Sequence, residues 1–239
     1  RFFRFHGLFG RGPINEEAMT ACRAHATQLK HLSNERIGTE FLKILLVPEP
    51  DKICVQMRNA NVLKSVLTQN CNIRHLRMVS WLETEFVDME RIAPDDIRHL
   101  AALIGREHNH ASHTAKRLCL SRKQREQLIT LAKPENQLSV KLSQNLKLQK
   151  IRRHGNERAI DLVLLAWAGE LAQSKRASIK GKDDYIRLLR QCIDWTPPTF
   201  PISGTDVLNL GVQPGTAVGT ILADVEAWWE SEGYNPKRT

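Results

Sequence analysis

The sequence predicts an all-α protein, and three of its features support that prediction. Apolar residues recur at intervals of three and four along almost the whole chain, which is the spacing of one helix face. Aromatic residues make up only 6% of the sequence and, like the β-branched residues, are too scattered for the alternation that strands require. Residues that begin or end helices stand between the apolar runs. A 41% apolar content in 239 residues is ample for a buried core.

The first part of the chain carries three helical patterns. Residues 16–32 keep one apolar face. Ser33 is a natural N-cap for a second helix that runs to Leu45, and the prolines of segment 48–50 end it. A third helix is predicted over residues 54–67.

The middle of the chain contains two clear helix starts. Either Asp95 or Asp96 is expected to cap a helix that stops at Gly105. Ser121 and Gln124 have the spacing of a capping box, so a further helix should begin there.

Three more helices are predicted in the last part of the chain. Residues 137–151 form a basic helical pattern, and the most apolar helix begins at Asn156. Asp183 or Asp184 is expected to cap the next helix. Residues 195–200 contain two adjacent prolines and are predicted to be an extended connector.

Composition excludes several classes of protein. No apolar run approaches the roughly 18 residues of a membrane-spanning helix, so no membrane partner is expected. Five widely spaced cysteines without a C-x-x-C pair argue against a disulfide framework or a zinc ribbon, and a reducing cytoplasm is the expected location. The chain opens without Met or a signal-peptide pattern, so we expect a fragment cut inside a helix.

The net charge of +9 is concentrated in two windows. The basic residues of the first window are Lys116, Arg117, Arg122, Lys123 and Arg125, and those of the second include Lys147, Lys150, Arg152, Arg153 and Arg158. Basic residues that cluster while acidic residues gather elsewhere indicate a polyanion such as nucleic acid. The alternative is an ordinary solvated face.

Glycines punctuate a segment near the C-terminus. Gly211, Gly215 and Gly219 surround a turn that leads into a helix, whose first backbone amides are free to contact a phosphate. The segment lacks the Gly-Lys-Ser/Thr ending of a Walker loop. The alternative interpretation is a helical hairpin in which the glycines only permit close packing.

Three motifs resemble one protein family. Residues 1–5 (RFFRF) are similar to the end of its RILRxxRF helix, and residues 33–45 resemble its S-x-E-R-I-x-x-E-x-x-K-I-L motif. Residues 202–222 resemble its I-S-G-x-D-L-x-x-x-G-x-x-P-G-x-x-V-G-x-x-L signature. The family is that of the bacterial class II tRNA nucleotidyltransferases, which add CCA to tRNA, and of the related poly(A) polymerases. The motifs occur in the family's order.

The resemblance implies a curved helical neck, body and tail without the catalytic head. It suggests a neck and body region over residues 1–110 and a tRNA-binding body and tail region over residues 111–239. Residues expected to support the nucleotide-binding neck are Arg1, Arg4, Ser33, Glu35, Arg36 and Glu40, and Arg36 and Glu40 have the i,i+4 spacing of an ion pair. The basic residues of the two windows, apart from Arg158, and the three glycines are expected to bind RNA.

No catalytic residue or metal ligand is assigned in this chain. The pairs Asp95–Asp96 and Asp183–Asp184 are adjacent and are better explained as helix caps. The resemblance implies that the parent enzyme uses Mg²⁺, CTP and ATP, and that its partners are tRNA and its own N-terminal catalytic head. The chain alone is expected to bind none of these cofactors and to be inactive.

Two other functions fit the same sequence. One is the corresponding part of a poly(A) polymerase, and the other is a free-standing helical RNA-binding or scaffold protein. The catalytic head would discriminate among these functions, and it would also decide between CCA, CC and A addition.

Overall fold

The computed structural model describes residues 1–68, 70–86, 92–105, 108–173 and 181–234, which form helices and no strand. The all-α prediction is confirmed. The α-helices of these residues are α1 (Phe2–Phe9), α2 (Glu16–His25), α3 (Asn34–Leu45), α4 (Pro50–Asn59), α5 (Val62–Val66), α6 (Ile73–Trp81), α7 (Asp96–Ile104), α8 (His108–Arg117), α9 (Arg122–Ala132), α10 (Gln144–His154), α11 (Asn156–Gln173), α12 (Lys182–Asp194), α13 (Gly204–Asn209) and α14 (Thr216–Ser231). The chain also forms 3-10 helices at Ala26–His31 and Pro134–Asn136 and a π-helix at Leu82–Phe86.

Local capping signals fix several helix ends as predicted. The Ser33 hydroxyl accepts a hydrogen bond from the backbone amide three residues later, at 3.3 Å. Ser121 and Gln124 form the reciprocal capping box at the start of α9. Asp95 caps α7, and Gly105 ends that helix with a φ of +77°.

Three predicted helices have different bounds. The pattern over residues 16–32 forms α2 up to His25 and then the 3-10 helix Ala26–His31. The pattern over residues 54–67 belongs to two helices, because Asn61 lies between α4 and α5 in the left-handed region with a φ of +58°. The basic helix predicted over residues 137–151 begins only at Gln144, where the preceding Ser143 caps α10.

The predicted cap of α12 is wrong. Gly181, in the left-handed conformation, occupies the N-cap position. Asp183 and Asp184 lie inside the first turn, where their charges favour the positive end of the helix dipole.

Helix α11 is the centre of the core. It packs against α6, α7, α9, α10 and α12. Nine of its ten residues from Ala159 to Ala168 are buried. His75 of α6 donates through Nε2 to the carbonyl oxygen of Leu165 at 2.9 Å. Trp167 stacks on Tyr185 of α12 with 5.1 Å between ring centroids. One buried cluster extends from Phe3 to Cys192, and the predicted division at residues 110 and 111 stays a prediction.

A buried polar network ties four helical segments together. Arg98 of α7 donates to Glu83 of the π-helix and to Asp161 of α11, each at 2.5 Å. His99 donates through Nδ1 to the carbonyl oxygen of Leu45 at 2.6 Å, and its Nε2 lies 2.6 Å from Glu83 Oε2. Burial, opposed by Arg98, raises the pKa of Asp161 to about 6.

Gln127 of α9 completes this network. Its amide nitrogen donates to Asp95 at 3.3 Å and to Asp161 at 3.2 Å. Because a buried carboxylate is costly unless its oxygens are satisfied, these contacts specify how α7, α9 and α11 meet.

Helix α14 packs against neighbouring aromatic side chains near its C-terminal end. Trp229 of α14 is buried against Phe200 and Tyr234, with ring centroids 5.3 Å and 4.9 Å away. The adjacent Trp228 is 54% exposed. Packing of the terminal helix therefore accounts for Trp229. No helix in the described ranges is both long and apolar enough to cross a membrane.

Candidate nucleic-acid interface

Four of the six predicted neck residues line a cavity of about 590 Å³ near the N-terminus, and Arg4 and Ser33 do not. The apolar side chains of its walls come from α1, α3, α4, α5 and the first 3-10 helix. Its charged lining residues are Arg1, Glu35, Arg36, Glu40 and Lys43. The structure therefore brings most of the predicted neck residues to one place.

The predicted pair between Arg36 and Glu40 is wrong. Glu40 Oε1 instead accepts a hydrogen bond from Arg4 Nε at 2.6 Å, which joins α1 to α3. Partial burial opposes ionisation of Glu40, but the Arg4 hydrogen bond and the positive charge at residue 1 outweigh it and lower the pKa of Glu40. The i,i+4 spacing within α3 gives no information about Arg4, which reaches Glu40 from α1. Arg36 is exposed at the cavity rim.

Ser33 and Glu35 have local roles at the start of α3. Ser33 caps the helix, and Glu35 lies in its first turn, where a negative charge is favoured. Arg1 lines the cavity with a side chain that is 79% exposed.

The side chains of the first basic window do not all face solvent. Lys116, Lys123 and Arg125 are exposed, as predicted for residues that contact a polyanion. Arg117 is partly buried and donates to the carbonyl oxygens of Ser65 and Val66, at 2.7 Å and 3.1 Å. Arg117 thus fastens α8 to the end of α5, and we exclude it from the interface.

Arg122 is exposed but already paired. Its Nε lies 3.0 Å from Glu126 Oε1, one turn along α9. Both side chains are largely exposed, so this pair is weak and leaves Arg122 available for a stronger partner.

Arg152, in the second window, faces inward. Its guanidinium nitrogens contact Glu226 and Glu230 of α14, each at 2.5 Å, and it lies over the Trp229 ring. Arg152 therefore joins α10 to α14, and it was wrong to group it with solvent-facing charges. The acidic partners lie more than 70 residues away in the chain, so the local sequence gives no signal for the pair.

The neighbouring cations face outward. Arg153 is exposed, and Lys147 and Lys150 are half-buried along α10. Lys150 and Arg153 line a groove of about 560 Å³ between α10 and α14. The α10 side of this groove is cationic, whereas the α14 side carries Glu226 and Glu230, which pair with Arg152.

Two further basic residues lie near the end of α10. His154 lies in the last turn of α10, and Arg158 lies in the first turn and a half of α11. Partial burial, followed by the charges of Arg153, Lys150 and Arg158, lowers the pKa of His154. Sequence reasoning missed His154, although its spacing of four residues from Lys150 places both on one helix face.

The glycine turn has the predicted form. Gly211, with a φ of +90°, follows α13, and Gly215 is the N-cap of α14. Gly219 lies in the first turns of α14, with open space where a β-carbon would be. Close packing of Gly211, Gly215 or Gly219 therefore does not explain these glycines, and their role in RNA binding stays a prediction.

The described residues do not fit a catalytic metal centre. No three of their His, Cys, Asp and Glu side chains are grouped to hold an ion. Asp95 is occupied with capping α7 and with Gln127, and Asp184 pairs with Arg187. Two-metal chemistry requires carboxylates that converge on the ions, and these do not.

The chain is similar to known RNA-processing proteins. Residues 13–70 match the family model described as the probable RNA and SrmB-binding site of polymerase A. CCA tRNA nucleotidyltransferase 1, mitochondrial, from Mus musculus is 24% identical over 247 residues, covering 100% of this chain and 52% of the mouse protein.

Two other vertebrate proteins of that name align similarly. The Homo sapiens protein is 21% identical over 241 residues, with 100% of this chain and 52% of that protein covered. The Danio rerio protein is 24% identical over 237 residues, with 98% and 51% covered. The chain thus spans about half the length of the curated relatives that it matches.

Proposed function

We propose that the chain belongs to the family of CCA-adding enzymes and poly(A) polymerases and is the tRNA-binding part of a tRNA nucleotidyltransferase. The observation that carries this proposal is the similarity of the entire chain to relatives named CCA tRNA nucleotidyltransferases. In the complete enzyme, a catalytic head would transfer nucleotides from CTP and ATP to the 3′ end of tRNA. This helical part would hold the tRNA body.

The charge distribution supports an RNA partner. The chain carries a net charge of +9, and Lys116, Lys123, Arg125 and Arg153 present their side chains to solvent. A protein that neutralises several phosphates gains affinity because condensed counterions are released. The exposed cations supply that contribution, whereas Arg117 and Arg152 serve the fold.

We further propose that nucleotidyl transfer takes place in the catalytic head that the family resemblance implies. The carboxylates of the described residues do not fit a pair of Mg²⁺ ions, so no catalytic step is derived from them. We therefore propose that the 239-residue chain binds tRNA without transferring nucleotides to it.

A poly(A) polymerase is the second candidate, because the description of the matching family model names polymerase A. The two candidates differ in the RNA that they must hold. A CCA-adding enzyme recognises the folded body of tRNA, whereas a poly(A) polymerase acts on the 3′ ends of many RNAs.

Binding of two RNAs of equal length tests the proposal. The purified chain should bind labelled tRNA at least tenfold more tightly than an unstructured poly(A) RNA at the same salt concentration. Equal affinity for the two RNAs would favour the poly(A) polymerase. Absence of tRNA binding by a folded preparation would overturn both assignments.

A further inference from the structure

The outer face of α1 exposes aromatic side chains. Phe5 is 49% exposed, and Phe9, one helical turn later, is 71% exposed. The two rings stack with 6.1 Å between their centroids and an angle of 27° between their planes. Leu8, three residues after Phe5, shares this side of the helix and is also exposed. These three side chains are called the aromatic face of α1 here.

The opposite side of α1 fixes the helix to the rest of the molecule. Phe3 is buried, and α1 packs against α3 and α4. At Gly7 the helix lies so close to its neighbours that a β-carbon would be 3.0 Å from the side chain of Val47 and 3.1 Å from that of Ile53. The aromatic face therefore rests on an ordered support, and a support that is already ordered loses little conformational entropy when a ligand binds.

The surroundings of the aromatic face favour an anionic ligand. Residues 1–15 contain three arginines and no acidic residue. The Arg4 guanidinium lies 4.9 Å from the centroid of the Phe5 ring, which is a cation–π contact. Arg11 is exposed and follows Phe9 by two residues, so their Cα atoms are at most about 7 Å apart.

Acidic side chains on the neighbouring helices have other roles. Glu40 of α3 accepts a hydrogen bond from Arg4 Nε at 2.6 Å. Glu16 and Glu17 lie in the first turn of α2, where their charges favour the positive end of that helix dipole. Glu40 thus neutralises Arg4, and Arg11 remains as the exposed cation that follows the aromatic face.

Unpaired RNA fits these features better than a protein surface does. Every base has a flat face that stacks on an aromatic ring, and the adjoining phosphate is attracted by an arginine. A protein interface of standard size buries about 800 Å² on each partner, which is more than three side chains supply. The helices that support α1, α3 and α4, lie within the residues 13–70 that match the family model described as a probable RNA and SrmB-binding site.

We propose that the aromatic face of α1 is a stacking platform for the unpaired bases at the 3′ end of tRNA. The inference rests on the proposed tRNA-binding function and adds the surface that receives the single-stranded end. Phe5 and Phe9 stack on bases, and Arg11 contacts a phosphate of the same strand. Because a ring stacks on any base, this platform holds the 3′ end without reading its sequence.

Two forms of one tRNA test the platform. The first keeps its unpaired 3′ nucleotides, and the second is trimmed of them. The purified 239-residue chain should bind the intact tRNA at least about fivefold more tightly than the trimmed tRNA, which is the gain expected from one stacked base. Phe9→Ala should lose this preference and bind the trimmed tRNA as wild type does, because the variant removes only the ring.

Matched variants separate stacking from charge. Phe9→Tyr retains an aromatic ring and should keep the preference for intact tRNA. Trp228→Ala, which removes an exposed aromatic side chain from α14, is the control and should change neither affinity. Arg11→Gln should lower the salt slope by about 0.7, the contribution of one phosphate of a single strand, whereas Phe9→Ala should leave the slope unchanged. Melting curves should show that all four variants are folded, because the substituted side chains are exposed.

NMR of the Phe9 ring reports the contact directly. A short unpaired RNA added to the chain should shift the ring signals of Phe9, because a stacked base changes the magnetic environment of the ring. Ring signals of Phe9 that do not move while the RNA binds would reject the platform.

The results distinguish failure of the platform from failure of the proposed function. If wild type binds intact and trimmed tRNA equally, or if Phe9→Ala keeps the preference, the aromatic face is not the platform. A wild-type dimer that Phe9→Ala converts to a monomer would show instead that this face joins two copies of the chain. If folded wild type does not bind tRNA at all, the proposed function itself fails.

Discussion

Adjacent arginines in α10 have opposite roles, which sequence alone does not distinguish. Arg152 contacts two glutamates of α14, whereas Arg153 faces solvent without an ion pair among the described residues. A partly buried guanidinium with two carboxylates and an aromatic ring contributes to the fold, while an exposed one contributes mainly to binding.

Alanine substitution of each arginine separates these roles. Arg152→Ala should lower the free energy of unfolding by about 1 to 2 kcal/mol, because Glu226 and Glu230 lose their partner. Arg153→Ala should leave stability within about 0.5 kcal/mol and weaken tRNA binding. Urea unfolding and tRNA titration of both variants measure this. Equal loss of stability in the two would contradict the assignment.

A second residue-level prediction concerns the contact of α1 with α3. Arg4→Ala should reduce stability by about 1 kcal/mol, because it removes the charged hydrogen bond to Glu40. Arg36→Ala should be nearly neutral, since its side chain is exposed and does not pair with Glu40. Thermal melting compares the variants. A larger loss for Arg36→Ala would restore the pairing expected from the i,i+4 spacing.

At the scale of elements, α3 approaches the end of α8 too closely for any side chain at residue 38. A β-carbon on Gly38 would lie 2.0 Å from the carbonyl oxygen of Leu118. Gly38→Ala should therefore destabilise the protein by at least about 1 to 3 kcal/mol, because backbone must move. Gly219→Ala, also within a helix but with open space around it, should stabilise by up to about 1 kcal/mol. Chemical denaturation of both variants tests this prediction. A Gly38→Ala variant as stable as wild type would refute the close contact.

The network around Arg98 makes a second prediction about packed elements. Arg98→Leu leaves Glu83 and Asp161 buried without their counter-charge and should cost about 3 to 5 kcal/mol. Arg122→Leu breaks an exposed ion pair and should cost less than about 1 kcal/mol. Urea midpoints compare the two variants. Similar midpoints would mean that the network does not hold α7 to α11.

The sequence predicts the ends of these helices better than the contacts between helices. The caps at Ser33, Asp95 and Ser121 follow from residues within one helical turn, and the structure has all three. The partners of Arg117 and Arg152 come from distant segments, so a run of basic residues was interpreted as one surface. One helix is predicted over residues 54–67, because the apolar spacing continues across the turn at Asn61, but the structure has two helices there.

For the whole molecule, a continuous helical core carries cations on its surface, and the proposed RNA-binding function gives these cations a role. The chain spans about half the length of the curated relatives that it matches, and we propose that this half binds tRNA. Its net charge of +9, once Arg117 and Arg152 are set aside as structural, still leaves exposed cations in both windows. The central claim is that these cations hold tRNA through its phosphates.

The salt dependence of tRNA binding by the purified chain tests that claim most directly. Four or more phosphate contacts predict that log K falls against log salt with a slope of about −3.5 or steeper, if each contact contributes about 0.9 as on a duplex. Labelled tRNA titrated between about 50 and 200 mM salt gives the slope. A steep, linear fall is the predicted result. Binding that is flat across this range, or no binding by the folded chain, would contradict the account.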